Sequence, residues 1–197
     1  MRRLLALALG LVVASAGCGT DGPRLDPTAP RFGPAPRYRP TALSPATAAR
    51  RALHGLRCAG APGPRFGAHL EIFVHGLDVV IPAGIGIAPP HRRDGAYVRG
   101  GGCSYPVRTS EPTGVIEVRP GRRLTLGHFF ALWGQPLGPH RLLGFRVPAR
   151  GELRAFVDGR SWRGDPRAIP LRRHGSVVVE LGRHVTRRPV YLFPDGL

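Results

Sequence analysis

Apolar residues recur along this chain in two periods, and the switch between them marks its elements. Over Thr113–Gly134 the sequence TGVIEVRPGRRLTLGHFFALWG holds both. Val115–Val118 predicts a short strand, Pro120-Gly121 a tight turn, and Leu126, Phe129, Phe130 and Trp133 one apolar face of a compact helix. Thr125 is the expected N-cap, its hydroxyl accepting from a backbone N–H one turn on, and Leu124 with Phe129 a hydrophobic staple. Gly134 is the expected stop.

A period of two dominates elsewhere. AHLEIFVHGLDVVIP places Leu70, Ile72 and Val74 on one face of a strand and His69, Glu71 and Phe73 on the other. His75-Gly76 then turns into a second strand, Leu77–Ile81. ELRAFVDGRSWRGDPRAIPL repeats that pattern: Leu70–Gly76 and Leu153–Gly159 share L-x-[IA]-F-V-x-G, and each is followed by an Ile-Pro, at Ile81 and Ile169. Two related β-hairpins are expected. Ser176–Leu181 reads as a strand, and Tyr191–Phe193 as another near the end. Residues 88–102 read as a loop with a short strand at Tyr97-Val98, and Gln135–Arg146 as irregular. The fold class predicted is mostly β, hairpins forming a small sheet or sandwich, with one short amphipathic helix and a minor α+β character.

Before this domain the chain changes character. Arg2 and Arg3 precede an apolar run, Leu4–Val13, too short to span a bilayer, and small residues lead to Cys18. Residues 1–17 read as a signal peptide, and Ala14-Ser15-Ala16-Gly17-Cys18 resembles the bacterial lipoprotein processing site, with Ser15 where Leu is usual. That makes Cys18 the expected lipidation site and the product an extracytoplasmic protein anchored to the cell membrane; plain secretion is the alternative. Residues 18–55 comprise a Pro-rich tether and a short helix opened by Ser44-Pro45 and closed by Gly55. Residues 56–197 form the compact domain.

Charge changes the picture less than its size suggests. The formal net charge is +17, carried wholly by Arg, with no Lys in the chain. A GC-rich coding bias accounts for all-Arg usage more simply than a selected phosphate surface does. The sharper reading is attraction to anionic envelope polymers or lipid headgroups. Export and the lack of a recognised module argue against nucleic acid as a partner.

Candidate chemistry is sparse. With Cys18 lipidated, Cys58 and Cys103 remain as an even pair in an oxidising compartment, and a disulfide between them is expected. Metal-ligating thiolates or free thiols are the alternatives. The eight His residues form no H-x-H, H-x-x-H or H-E-x-x-H, although His69 in its strand and His128 in the helix could meet in space. No G-x-S-x-G elbow occurs, and no pair of carboxylates stands at a telling spacing. Glu117 alternates with Ile116 and Val118 and is expected to face solvent. Gly100-Gly101-Gly102 leads to Cys103 and a Tyr-Pro step rather than into a helix, so it is not a helix-opening phosphate loop.

HLEIFVHG, VIPAGIGI, TGVIEV followed by LTLGHFFALWGQPLG, GDPRAIPL and the terminal FPDGL together carry a resemblance. From about Cys58 to Leu197 the chain resembles a family of uncharacterised secreted bacterial proteins. The resemblance implies a His-rich strand entry, a His-Thr-His-Asp segment after the Cys, and a further His after the step equivalent to Gly114-Val115-Ile116. Such a cluster implies a metal site in those relatives. Here Arg108 and Ser110 stand at the two His positions of the segment, Glu111 at its Asp, and Glu117 at the third His. His69 is what this chain keeps of the strand-entry group. The resulting expectation is a non-catalytic envelope lipoprotein of unknown ligand, without cofactor and not an enzyme. The alternative is residual copper or zinc binding through His69, Glu117 and His128.

Overall fold

The longest strand among the described residues, β1 (Phe66–Val74), is buried on both faces, and the main sheet is laid against its two sides. The computed structural model describes residues 52–197 except 54, 61–62, 149–152, 186–190 and 194–195. The leader, Cys18, the tether and the helix expected from Ser44 lie outside the described residues, apart from the end of that segment. There Leu53 and Leu56 exchange backbone hydrogen bonds around Gly55.

After β1 come β2 (Leu77–Asp78), β3 (Arg92–Asp94), β4 (Tyr97–Gly100), β5 (Val107–Arg108) and β6 (Val115–Val118). Helix α1 (Leu126–Trp133) follows, then β7 (Leu137–Gly138), β8 (Arg141–Leu142) and β9 (Phe145–Arg146). β10 (Leu153–Val157), β11 (Arg160–Trp162), a 3-10 turn at Pro166–Ala168 and β12 (Ser176–Leu181) complete the order. The main sheet runs β11-β10-β12-β1-β6-β5, with β2 also paired to β1. β1 and β12 are parallel, and the other pairs in this sheet are antiparallel. The fold is β-rich with one short helix among the described residues.

The internal repeat proves to be structural. His75 and Gly76 have φ of 54° and 83°, and Asp158 and Gly159 have 50° and 76°. Two successive left-handed residues make the tight turn whose twist suits a hairpin, which explains the Gly at the second position of each. The two hairpins flank β12 in opposite senses. His75 N–H donates to Leu181 O at one end of β12, and Asp158 N–H donates to Ser176 O at the other.

Register sorts the sheet into two faces. Ala68, Leu70, Ile72 and Val74 of β1 align with Ile116 of β6, with Val177, Val179 and Leu181 of β12, and with Ala155 of β10. These belong to one core cluster, which also holds Leu126, Phe129, Phe130 and Trp133 of α1. Those four helix residues are each no more than 1% exposed. Burying a side chain of that size is worth roughly 1.5–3 kcal/mol, so this one face ties a two-turn helix to the sheet. Gly134 ends the helix with φ of 71°.

Four elements differ from expectation, the first being residues 88–102, where β3 and β4 form a hairpin in place of a loop with one short strand. The second strand of the first hairpin spans Leu77–Asp78 and not Leu77–Ile81, because Val79 and Ile81 turn into the core. Gln135–Arg146 is not irregular: β7, β8 and β9 form a small antiparallel sheet, with Leu137 and Leu142 buried. Two-residue strands are too short to leave a periodic signal. Tyr191–Phe193 is no strand, and its rings instead lie over the second face of the main sheet.

Candidate functional site

That second face is where ionisable groups gather. The same register that sends Leu70 and Ile72 into the core puts His69, Glu71 and Phe73 of β1 on the opposite side. They share it with Glu117 of β6, Arg108 of β5, Glu180 of β12 and Arg154 of β10. The sheet therefore has an apolar side under α1 and a charged side.

At one end Arg108 grips Glu117. Arg108 Nε and Nη2 lie 2.9 and 2.7 Å from Glu117 Oε2. Glu117 is only 6% exposed, so it does not face solvent as its alternation suggested. The alternation did place it off the apolar core, but Arg108 on the adjacent strand covers this side as well. Arg65 stands beside the pair. Its guanidinium donates to Pro106 O and Tyr105 O, both at 3.1 Å, and to Ser104 Oγ at 3.3 Å. Burial, and then the charge of Arg108, press its pKa down to about 10; Glu117 works in the other direction and Arg119 adds further repulsion.

In the middle His69 is 4% exposed, its ring stacked on Tyr191 with centroids 4.2 Å apart. His69 Nε2 lies 3.0 Å from Thr113 O, and Nδ1 has no hydrogen-bond partner among the described residues. Burial lowers the His69 pKa, and the bond to Thr113 offsets this in part. Because the folded value lies below the unfolded one, near 6.5, the unfolded chain takes up the proton first. Stability is therefore expected to fall as pH drops below about 6.5 and to level off beneath the folded value. Urea midpoints measured from pH 7.5 to 5 should show a steeper acid loss in the native chain than in His69→Phe. Parallel curves would refute this role for His69.

At the far end Glu180 is fully buried. Its Oε2 lies 2.7 Å from His184 Nδ1 and 3.6 Å from Arg154 Nε. Sequence reasoning missed this cluster, since SVVVEL reads simply as a strand. The available signal was a carboxylate set in a run of Val.

The residues singled out from the sequence separate into three places. Arg108 and Glu117 pair across β5 and β6. Glu111 accepts from Thr113 Oγ1 at 2.9 Å, and the backbone of Ser110 accepts from Val98 N–H at 2.8 Å, so both belong to the loop beside β4. His128 lies with α1 against the apolar side, across the sheet from His69. Its Nδ1 accepts from Thr125 N–H at 3.2 Å, so the imidazole itself closes the helix cap. Thus His69, Glu117 and His128 do not converge. Among the described residues no group of three or more His, Cys, Asp or Glu stands where it could hold a metal ion.

Cys58 and Cys103 are joined, with Cα atoms 5.6 Å apart, which removes the free-thiol and thiolate-ligand alternatives. Among the described residues no helix is long and apolar enough to cross a membrane. No known protein family, curated protein or solved structure matches the chain.

Proposed function

We propose that this chain is a non-catalytic binding domain of the cell envelope, exported and held at the membrane by a lipid on Cys18. The observation that carries the reading is the buried Cys58–Cys103 disulfide, because such bonds persist in oxidising compartments. It agrees with the leader and the Ala-Ser-Ala-Gly-Cys segment read from the sequence. The charged face favours binding over catalysis, since Glu117 and Glu180 are both tied to cationic partners rather than poised as acid or base.

Expression of the full chain in a bacterial host fed an alkyne fatty acid tests this. The expected result is lipid label and membrane retention, both lost in Cys18→Ser. Unlabelled protein in the medium would favour the secreted alternative. Cytoplasmic protein with reduced Cys58 and Cys103 would end the reading.

Copper or zinc binding is the lesser reading. It rests on the buried, unpartnered Nδ1 of His69. Metal retained by the desalted full chain and lost in His69→Ala would favour it instead.

A further inference from the structure

Beyond the Arg108–Glu117 pair the charged face opens into a cavity of about 250 Å³. Four arginines line it: Arg65, Arg92, Arg99 and Arg108. Two carboxylates answer them. Glu117 holds Arg108, and Asp94 holds Arg99 through Nε and Nη2 at 3.2 and 2.9 Å. The formal balance at the cavity is four positive charges against two negative, a surplus of +2.

The guanidiniums differ in their freedom. Arg65 is fixed by three acceptors, which occupy three of its five N–H groups and leave two. Arg108 spends its Nε and one Nη2 proton on Glu117, so Nη1 stays open. Arg92 has neither an acidic nor a hydrogen-bond partner among the described residues, and its guanidinium lies close to Gly100. Gly100, Gly101 and Gly102 form one wall. At Gly101 a side chain is excluded for a physical reason, since a Cβ there would strike Ala88 O, whereas a Cβ on Gly100 would only push the flexible Arg92 guanidinium aside. Gly102 N–H donates to that same Ala88 O at 2.8 Å, which draws the two backbones together. Ser104 adds a hydroxyl.

We infer that this cavity binds a phosphate group carried by a small ligand. A planar carboxylate is satisfied by one guanidinium fork, whereas a tetrahedral oxyanion accepts donors from several directions at once. A phosphate monoester carries about −1.5 to −2 at neutral pH, which matches the surplus. The volume falls below the roughly 300–1,000 Å³ of sites for drug-sized ligands, so it suits a single headgroup or ester. The repulsion among Arg65, Arg108 and Arg119, which Glu117 only partly relieves, is what a bound dianion would remove. This differs from a helix-opening phosphate loop: the glycines let a guanidinium and a carbonyl approach closely, and the arginines supply the charge.

The proposal deepens the binding-domain reading by naming the ligand chemistry, and it does not depend on lipidation at Cys18. Titration calorimetry of the oxidised full chain with inorganic phosphate, at fixed ionic strength, tests it directly. One saturable site is expected, weakened about tenfold in Arg92→Ala, a loss of about 1.4 kcal/mol on removing a charged donor. Arg92 is exposed, so that variant should fold, with circular dichroism as the check. Arg141→Ala, outside the cavity, should bind as the native chain does.

Vesicles of phosphatidic acid in phosphatidylcholine separate the possible sources. Recruitment competed away by free phosphate would identify a lipid headgroup. Phosphate binding without recruitment would identify a soluble phosphoester. No saturable binding of either probe, or equal weakening by Arg92→Ala and Arg141→Ala, would overturn the site. Recruitment is read in Cys18→Ser, which carries no lipid, so those outcomes are independent of the Cys18 labelling result.

Discussion

Replacing Cys58 and Cys103 together by Ser is expected to lower the melting temperature by about 15 °C. The bond links positions 45 apart in sequence. Closing a loop of that length removes chain entropy from the unfolded state worth on the order of 4 kcal/mol. For a domain of this size each kcal/mol moves Tm by about 3–5 °C. The bond has a local task as well, because it fastens the segment entering the domain to the chain just after Gly100-Gly101-Gly102. Ala59 and Ser104, next to the two Cys, exchange backbone hydrogen bonds at 3.0 Å and continue the clamp. Differential scanning calorimetry of the native and doubly substituted chains checks the expectation. A fall below about 5 °C would mean that the clamp holds without its covalent bond. In that case the disulfide reports the compartment and contributes little to the fold.

Much of the framework was legible because it rests on local chemistry. The four apolar residues of α1 lie at helical spacing, and all four are buried. The x-Gly turns of both hairpins were legible because a left-handed pair of residues strongly selects Gly at the second position. The disulfide followed from the cysteine count and the leader. What the sequence hid depends on contacts between distant strands. The alternation of β6 separated Glu117 from Ile116 correctly. That Arg108 would cover it followed only from the pairing of β5 with β6, nine residues apart in the chain. Glu180 was hidden in the same way, since its neighbour Arg154 arrives through the antiparallel pairing of β10 with β12.

HLEIFVHG, TGVIEV and LTLGHFFALWG became β1 with its turn, β6 and α1. The positions where the resemblance implies His and Asp ligands became an ion pair and a hydrogen-bonded loop. Arg108 and Glu117 carry opposite charges on adjacent strands, as cross-strand partners should. Together they are a cation and an anion that satisfy one another.

Glu117→Gln should therefore be a damaging change on the charged face, costing about 3 kcal/mol of stability. Breaking one side of a buried pair typically costs several kcal/mol, because the remaining charge loses its compensation. Exposure of the Arg108 side chain, 26%, moderates that cost by letting water reach the guanidinium. Two features act the other way. Arg65 is already crowded by Arg108 and Arg119, and Glu117 is the anion that relieves it. Removing that carboxylate would also raise the cavity surplus from +2 to +3, four arginines then facing Asp94 alone. Denaturant unfolding at low and high salt checks the mechanism, because repulsion among partly exposed arginines is screened whereas loss of packing is not. The loss should shrink by about half in 0.5 M NaCl. Phosphate should also stabilise Glu117→Gln more than it stabilises the native chain, as an anion in the cavity takes over part of the missing carboxylate's role. A loss independent of both salt and phosphate would assign Glu117 to packing and hydrogen bonding, and would detach the ion pair from the cavity beside it.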